Sequence, residues 1–194
     1  SWFETSPDTS LELIDGLGLD RSAAIVDVGG GASTLVDHLL DEGFGELTEA
    51  GLDATERIVA MAGVHPFIDL LGKGAEVIIG GRSSDSCVFA APAIHHGFTE
   101  AHSYYLGKVL ECASFCAEPY GGKETVLGEI TADAVEVTAM HPGQRCTVAS
   151  VAGHAMYERS NPYFEHVAGG TLDMSDCRSE QVTANTTRIS GAKF

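Results

Sequence analysis

The sequence predicts an α/β fold: a mixed, partly parallel sheet with helices on both faces and β-hairpins toward the C-terminus. Three observations carry this. Short apolar runs alternate with amphipathic segments through the first hundred residues. Two of those runs break into glycine turns followed by helix-start residues, the signature of a strand-turn-helix unit. Beyond residue 120 the periodicity changes to alternating polar-faced pairs, as in antiparallel hairpins.

Taken in order, residues 10–17 read as a short capped helix stopped by Gly18, and residues 23–28 (Ala-Ala-Ile-Val-Asp-Val) as a compact strand. Three glycines, 29–31, break that strand, and Ser33 caps a helix over 34–42 with Leu35, Leu39 and Leu40 on one face. Residues 57–62 read as a strand, 65–71 as a helix and 75–79 as a second strand. Ser84 or Asp85 is placed to cap an apolar helix running through Ile94. A further helix is expected from Glu100 to Ala117, with Tyr105, Val109, Cys112 and Cys116 on one face. Residues 124–130 and 134–138 form one hairpin, 180–182 and 187–190 another, and Thr147 caps a helix ending before Asn161-Pro162.

Composition narrows the function classes. Against 28 acidic residues stand 11 Lys and Arg, a net charge of −17 in 194 residues. A chain this acidic lacks the cationic surface that nucleic acid or an anionic membrane demands. No apolar run reaches the length of a membrane span. Five cysteines do not make a disulfide framework, and their odd number leaves one without an intrachain partner. The expectation is a cytoplasmic protein that takes a small-molecule ligand, with homo-oligomerisation left open. The charge is also uneven. Residues 1–50 hold eleven acids and Arg21 as their one base, while residues 51–194 hold the remaining acids, the other bases and all the cysteines. This step divides the chain into a 1–50 unit and a 51–194 unit, or else marks a strongly solvated face.

Two glycine turns are candidate sites. In the first, a strand ending in Asp27 leads into Gly29 and Gly31, where backbone N–H groups can approach a cofactor closely. Glu49, 20 residues after Gly29, stands near the spacing of an acid that grips ribose hydroxyls. In the second, the strand 75–79 leads into Gly80, Gly81, Arg82, Ser83, Ser84 and Asp85, an anion seat at a helix start. An Arg82–Asp85 pair that merely closes the turn is the competing reading. Glu111, a carboxylate on an apolar helical face, needs a buried partner, and Arg82 or Arg145 suits. Cys146 with His141 or His154 has the composition of a nucleophile and base. The competing role for Cys146 is structural. Cys112 and Cys116, near His95, His96 and His102, favour packing over a metal, and no metal site is assigned.

Residues 1–45, with the run Ala24-Ile-Val-Asp-Val-Gly-Gly-Gly-Ala-Ser33, resemble the start of a class I S-adenosylmethionine-dependent methyltransferase. That resemblance implies S-adenosylmethionine as cofactor, lined by Asp27, Gly29 and Gly31. It stops near residue 45, where Glu49 stands without the expected Val-Leu-Asp-Ile strand. From residue 58 onward a second resemblance runs in order through Val64-His-Pro-Phe-Ile68, Gly80-Gly-Arg-Ser-Ser-Asp85, Leu110-Glu-Cys112, Arg145-Cys-Thr147, Ser150-Val-Ala-Gly-His154 and Gly170-Thr-Leu-Asp173. These blocks are similar to the acyclic-terpene-utilisation (AtuA-type) family. The resemblance implies a bacterial catabolic domain acting among branched acyl-CoA compounds, with members extending beyond this stretch at both ends. Together the two resemblances imply a composite chain joined near residues 46–56. Its ligand would be a small acyl or carboxylate compound. Arg82, Ser83, Ser84, Asp85 and Arg145 would bind it, with Glu111, His141, Cys146 and His154 as catalytic candidates.

Overall fold

A computed structural model describes residues 25–28, 61–121, 125–157 and 161–194. The expected helices at 10–17 and 34–42 lie outside these residues, as does most of the expected strand at 57–62.

Strand β1 (Ile25–Val28) pairs in parallel with β2 (Val77–Gly80), in register from Ile25 beside Val77 to Val28 beside Gly80. Between them in the chain lies α1 (His65–Gly72), with Pro66 in its first turn, where the missing N–H leaves no bond unmade. Gly74, at φ +80°, closes it: the Gly74 N–H donates to the Leu71 carbonyl and the Ala75 N–H to the Leu70 carbonyl. Gly97, at φ +89°, ends α2 (Cys87–His95) in the same way through Ile94 and Ala93. The N-cap of α2 is Ser86, not Ser84 or Asp85.

Helix α3 (Glu100–Glu111) begins at Thr99, whose hydroxyl accepts from the His102 N–H. It ends at Glu111, six residues short of the expected Ala117. Cys112 leaves helical geometry at φ −126°, ψ 50°, and a 3-10 turn (Ala113–Cys116) leads into the two-residue strand β3 (Ala117–Glu118). The Cys116 thiol donates to the Val109 carbonyl at 3.5 Å, satisfying one of the carbonyls a helix end leaves free. The four-residue stripe expected along one helix is therefore broken between Cys112 and Cys116.

Strands β4 (Val126–Ile130) and β5 (Ala134–Ala139) form the first expected hairpin. Strand β6 (Arg145–Cys146) pairs with β3, and α4 (Val148–Ala155) follows, capped by Thr147. A hairpin of β7 (Phe164–Val167) and β8 (Gly170–Asp173), absent from the sequence reading, turns at Gly169. Strands β9 (Arg178–Gln181) and β10 (Thr186–Ser190) complete a four-stranded antiparallel sheet in the order β4-β5-β10-β9.

The α/β mixture and C-terminal hairpins match expectation. The single mixed sheet does not: among the described residues, parallel pairing of strands is confined to β1–β2, with one isolated parallel bridge between Ala62 and Ser83, and the other sheets are antiparallel. Among the described residues the two faces of the larger sheet differ. Helix α3 covers one, with Leu106 and Leu110 lying over Gly128, where a β-carbon would come within 2.6 Å of Leu106 Cδ1. On the other face Leu127 and Glu129 are exposed. The core joins α1, α2, α3 and α4 to the sheet through residues including Phe67, Tyr105, Val109, Val135, Val151 and Ile189.

Candidate functional site

One residue, Ala62, holds the segment from Gly80 to Ser86 at the two positions that flank Ser83. The Ala62 N–H donates to the Arg82 carbonyl at 3.0 Å, and the Ala62 carbonyl accepts from the Ser84 N–H at 2.9 Å. This clamps Ser83 in a parallel bridge with Ala62 and leaves the Arg82 side chain exposed. Among the described residues no ion pair joins Arg82 to Asp85, which is exposed as well. The hydroxyls of Ser84 and Ser86 bond each other at 3.0 Å, and the Ser84 carbonyl accepts from the Cys87 N–H. Ser83 is half-buried. Burial pushes the Cys87 thiol up, against the lowering influence of the Ser83 side chain.

Behind this loop stands α3. Gly107 lies so close to Ser86 that a β-carbon would fall 2.4 Å from the Ser86 carbonyl oxygen. One residue on, Lys108 pairs with Glu111 at 2.5 Å, their side chains 7% and 13% exposed. Glu111 thus has the partner its burial demands, but from its own helix rather than from Arg82 or Arg145. The i, i+3 spacing of Lys108 and Glu111 was the signal in the sequence that identifies this pair. Burial raises the Glu111 carboxyl above the ordinary glutamate range. Lys108 opposes the shift, while Glu165 and Asp85 add to it.

The remaining candidates have partners of their own. Arg145 is exposed on β6 and pairs loosely with Glu118 at 3.8 Å. Cys146 is buried beside it. Its carbonyl accepts from Gln181 Nε2 and Thr187 Oγ1, and burial pushes its thiol up to about 11. A thiol held protonated is a weak nucleophile until a base removes the proton. His141 is exposed on a turn, its Nδ1 accepting from the Gly143 N–H at 3.1 Å. His154 is buried on α4, its ring 5.9 Å from that of Phe115 and 6.4 Å from that of Tyr157. The structure therefore gathers Arg82, Ser83, Ser84 and Asp85 on one loop with Glu111 behind it, and sets Arg145, Cys146 and His154 on the β6–α4 unit.

Asp27 lies in β1 opposite Ile79, whereas Gly29, Gly31 and Glu49 fall outside the described residues. No cluster of His, Cys, Asp and Glu among the described residues has the arrangement to hold a metal ion. No helix among them is long and apolar enough to cross a membrane.

Over residues 9–194 the chain matches the model of the acyclic terpene utilisation family protein AtuA. The chain belongs to the AtuA family. The match begins at residue 9 and so runs through the acid-rich stretch whose sequence resembles a methyltransferase. Within this AtuA chain, the Gly80–Asp85 block and the β6–α4 block are both parts of the matched region. Membership points to a bacterial catabolic role in the use of acyclic terpenes. No curated protein and no solved structure matches the chain.

Proposed function

We propose that this AtuA protein binds a small acyl or carboxylate ligand at the loop from Gly80 to Ser86. The observation that carries this reading is Arg82, an exposed guanidinium without an ion pair among the described residues, on a loop held by the Ala62 backbone on either side of Ser83. A guanidinium presents a fork of donors that matches a carboxylate, and a pre-set loop loses little entropy when a ligand arrives. Ser83 offers a hydroxyl beside it, and so does Ser84, whose hydroxyl also bonds that of Ser86. The C-terminal ends of adjacent parallel strands, here Val28 and Gly80, are where open α/β sheets bind ligands.

The test is calorimetric titration with a branched short-chain carboxylate and with its coenzyme A thioester. Binding that falls at least tenfold in Arg82→Ala supports the seat, and unchanged binding in that variant overturns it. A second reading, S-adenosylmethionine binding by the first 45 residues, is favoured by the presence of Asp27 in a strand that leads into the first glycine turn. Titration with that cofactor decides it: no heat and no protection of the 29–31 turn removes the reading.

A further inference from the structure

A groove of about 210 Å³ opens between α1 and α2 over strand β2. Its walls are two pairs of apolar residues one helical turn apart, Phe67 and Leu71 on α1 and Val88 and Pro92 on α2, and its floor is Ile78. Val88 is 48% exposed and Pro92 is exposed as well, so the α2 wall presents hydrocarbon to water. Gly80 lies on the same face of β2 as Ile78, because side chains alternate along a strand. Without a side chain, it leaves the floor bare where the groove nears the loop. A β-carbon built on Gly80 would lie 3.0 Å from Phe67 Cζ and 3.2 Å from Ser83 Oγ, so the ring tip and the hydroxyl flank one small space. The wall of the groove and the loop that carries Arg82 therefore meet at Gly80. Glu76, the charged residue of the lining, is exposed and stands just before β2, at the opposite end.

We propose that this groove holds the aliphatic chain of a carboxylic acid whose head group sits at the loop, the chain crossing Gly80. The placing of the head group rests on the loop being the carboxylate seat; the affinity of the groove for hydrocarbon does not. Size sets the class of ligand. Pockets for drug-sized molecules run to about 300–1,000 Å³, so this one takes a chain and not a whole cofactor. At roughly 30 Å³ for each water-sized group, it has room for about seven carbons. The lining sets the chemistry of the chain. A hydroxyl or amide buried against Phe67 and Ile78 would lose its hydration without gaining a partner, which disfavours a polar tail. A second carboxylate at the far end would meet Glu76, so the chain ends in a methyl group.

Titration calorimetry of the full chain with acetate, butanoate, hexanoate and octanoate tests it, beside methyl NMR with 1-hexanol, which has no carboxylate. Each methylene buried in the groove is expected to raise affinity about two- to fourfold. In Val88→Gln, a change at an exposed position, that gain per methylene is expected to shrink toward none. In Arg82→Ala the whole series is expected to weaken by one common factor while the gain per methylene is kept. The methyls of Leu71, Ile78 and Val88 are expected to shift with 1-hexanol in the parent and in Arg82→Ala alike. Acids that bind with no gain along the series, an undiminished gain in Val88→Gln, or methyls that ignore 1-hexanol overturn the groove. Methyls that respond to 1-hexanol while no acid binds overturn the seat and the placing of the head group, so the two failures are distinguishable.

Discussion

Replacing Gly107 by alanine sets two effects of known size against each other. In a helix interior Gly→Ala contributes about 0.5–1 kcal/mol of stability. At Gly107, however, the new methyl would sit 2.4 Å from the Ser86 carbonyl oxygen and 3.1 Å from its carbonyl carbon. An ordinary contact is roughly 3.5 Å, so the helices must separate by about 1 Å. The neighbour cannot rotate away, because it is backbone: the Ser86 carbonyl accepts from the Phe89 and Ala90 N–H groups that begin α2. Overpacking of this kind costs about 1–3 kcal/mol. The net effect is a loss of about 1–2 kcal/mol, or about 2–8 °C in melting temperature for a chain of this size. Gly153 in α4 is the control, since a methyl there meets nothing within 4 Å. Gly153→Ala keeps the helix gain, about 0.5–1 kcal/mol, without a clash. Calorimetric melting of both variants beside the parent checks the pair. A Gly107→Ala protein that melts at or above the parent would refute the close approach of α2 and α3.

Two further outcomes follow from single side chains. Thr147 and Ser150 cap α4 reciprocally, and Ser150 also donates to the Cys116 carbonyl at 2.6 Å. Thr147→Ala is therefore expected to cost about 1 kcal/mol and Ser150→Ala more, as urea midpoints would show. The Glu111 carboxyl binds its proton more tightly in the fold than in the unfolded chain. Its contribution is thus largest below the unfolded glutamate range and is lost as pH rises through the folded value. Urea unfolding across pH should show parent stability falling relative to Glu111→Gln as pH rises, and a constant difference would contradict the shift.

Where the local chemistry was unambiguous, the fold was legible in the sequence. Pro66 and Gly74 bracket α1, Thr147 opens α4, and the alternation over β4–β5 and β9–β10 gives both hairpins. The start of α2 was not, because Ser83, Ser84, Asp85 and Ser86 are all capping residues and nothing local chooses among them. The structure sets the cap at Ser86, the residue that packs against Gly107, a contact made 21 positions away. The end of α3 was missed for a similar reason: the helical pattern of apolar residues continues past Cys112, while the backbone turns to meet β6. Hairpin β7–β8 hides because Glu165 and His166 interrupt its apolar residues, although Gly169-Gly170 marks its turn. At the site, the loop from Arg82 to Asp85 was readable from its glycines and serines. Glu111 finds its partner one helical turn away on its own helix, Lys108, rather than in the arginines Arg82 and Arg145.

The charge around that loop constrains how it can hold an anion. Arg82 is exposed, Lys108 is engaged by Glu111, and Asp85 adds negative charge on the loop itself. The chain as a whole carries −17. The net charge of the protein thus opposes the approach of a carboxylate, and short-range contacts with Arg82 and the serine hydroxyls are what favour binding. Added salt screens the repulsion within a Debye length of about 10 Å at 0.1 M while leaving close hydrogen bonds largely intact. Carboxylate affinity is thus expected to stay level or rise as sodium chloride goes from about 0.01 to 0.15 M, the reverse of a site built on a basic surface. Titration calorimetry across that range checks the point. An affinity that falls tenfold would mean that the anion is gathered by positive potential, and would move the binding site away from this loop.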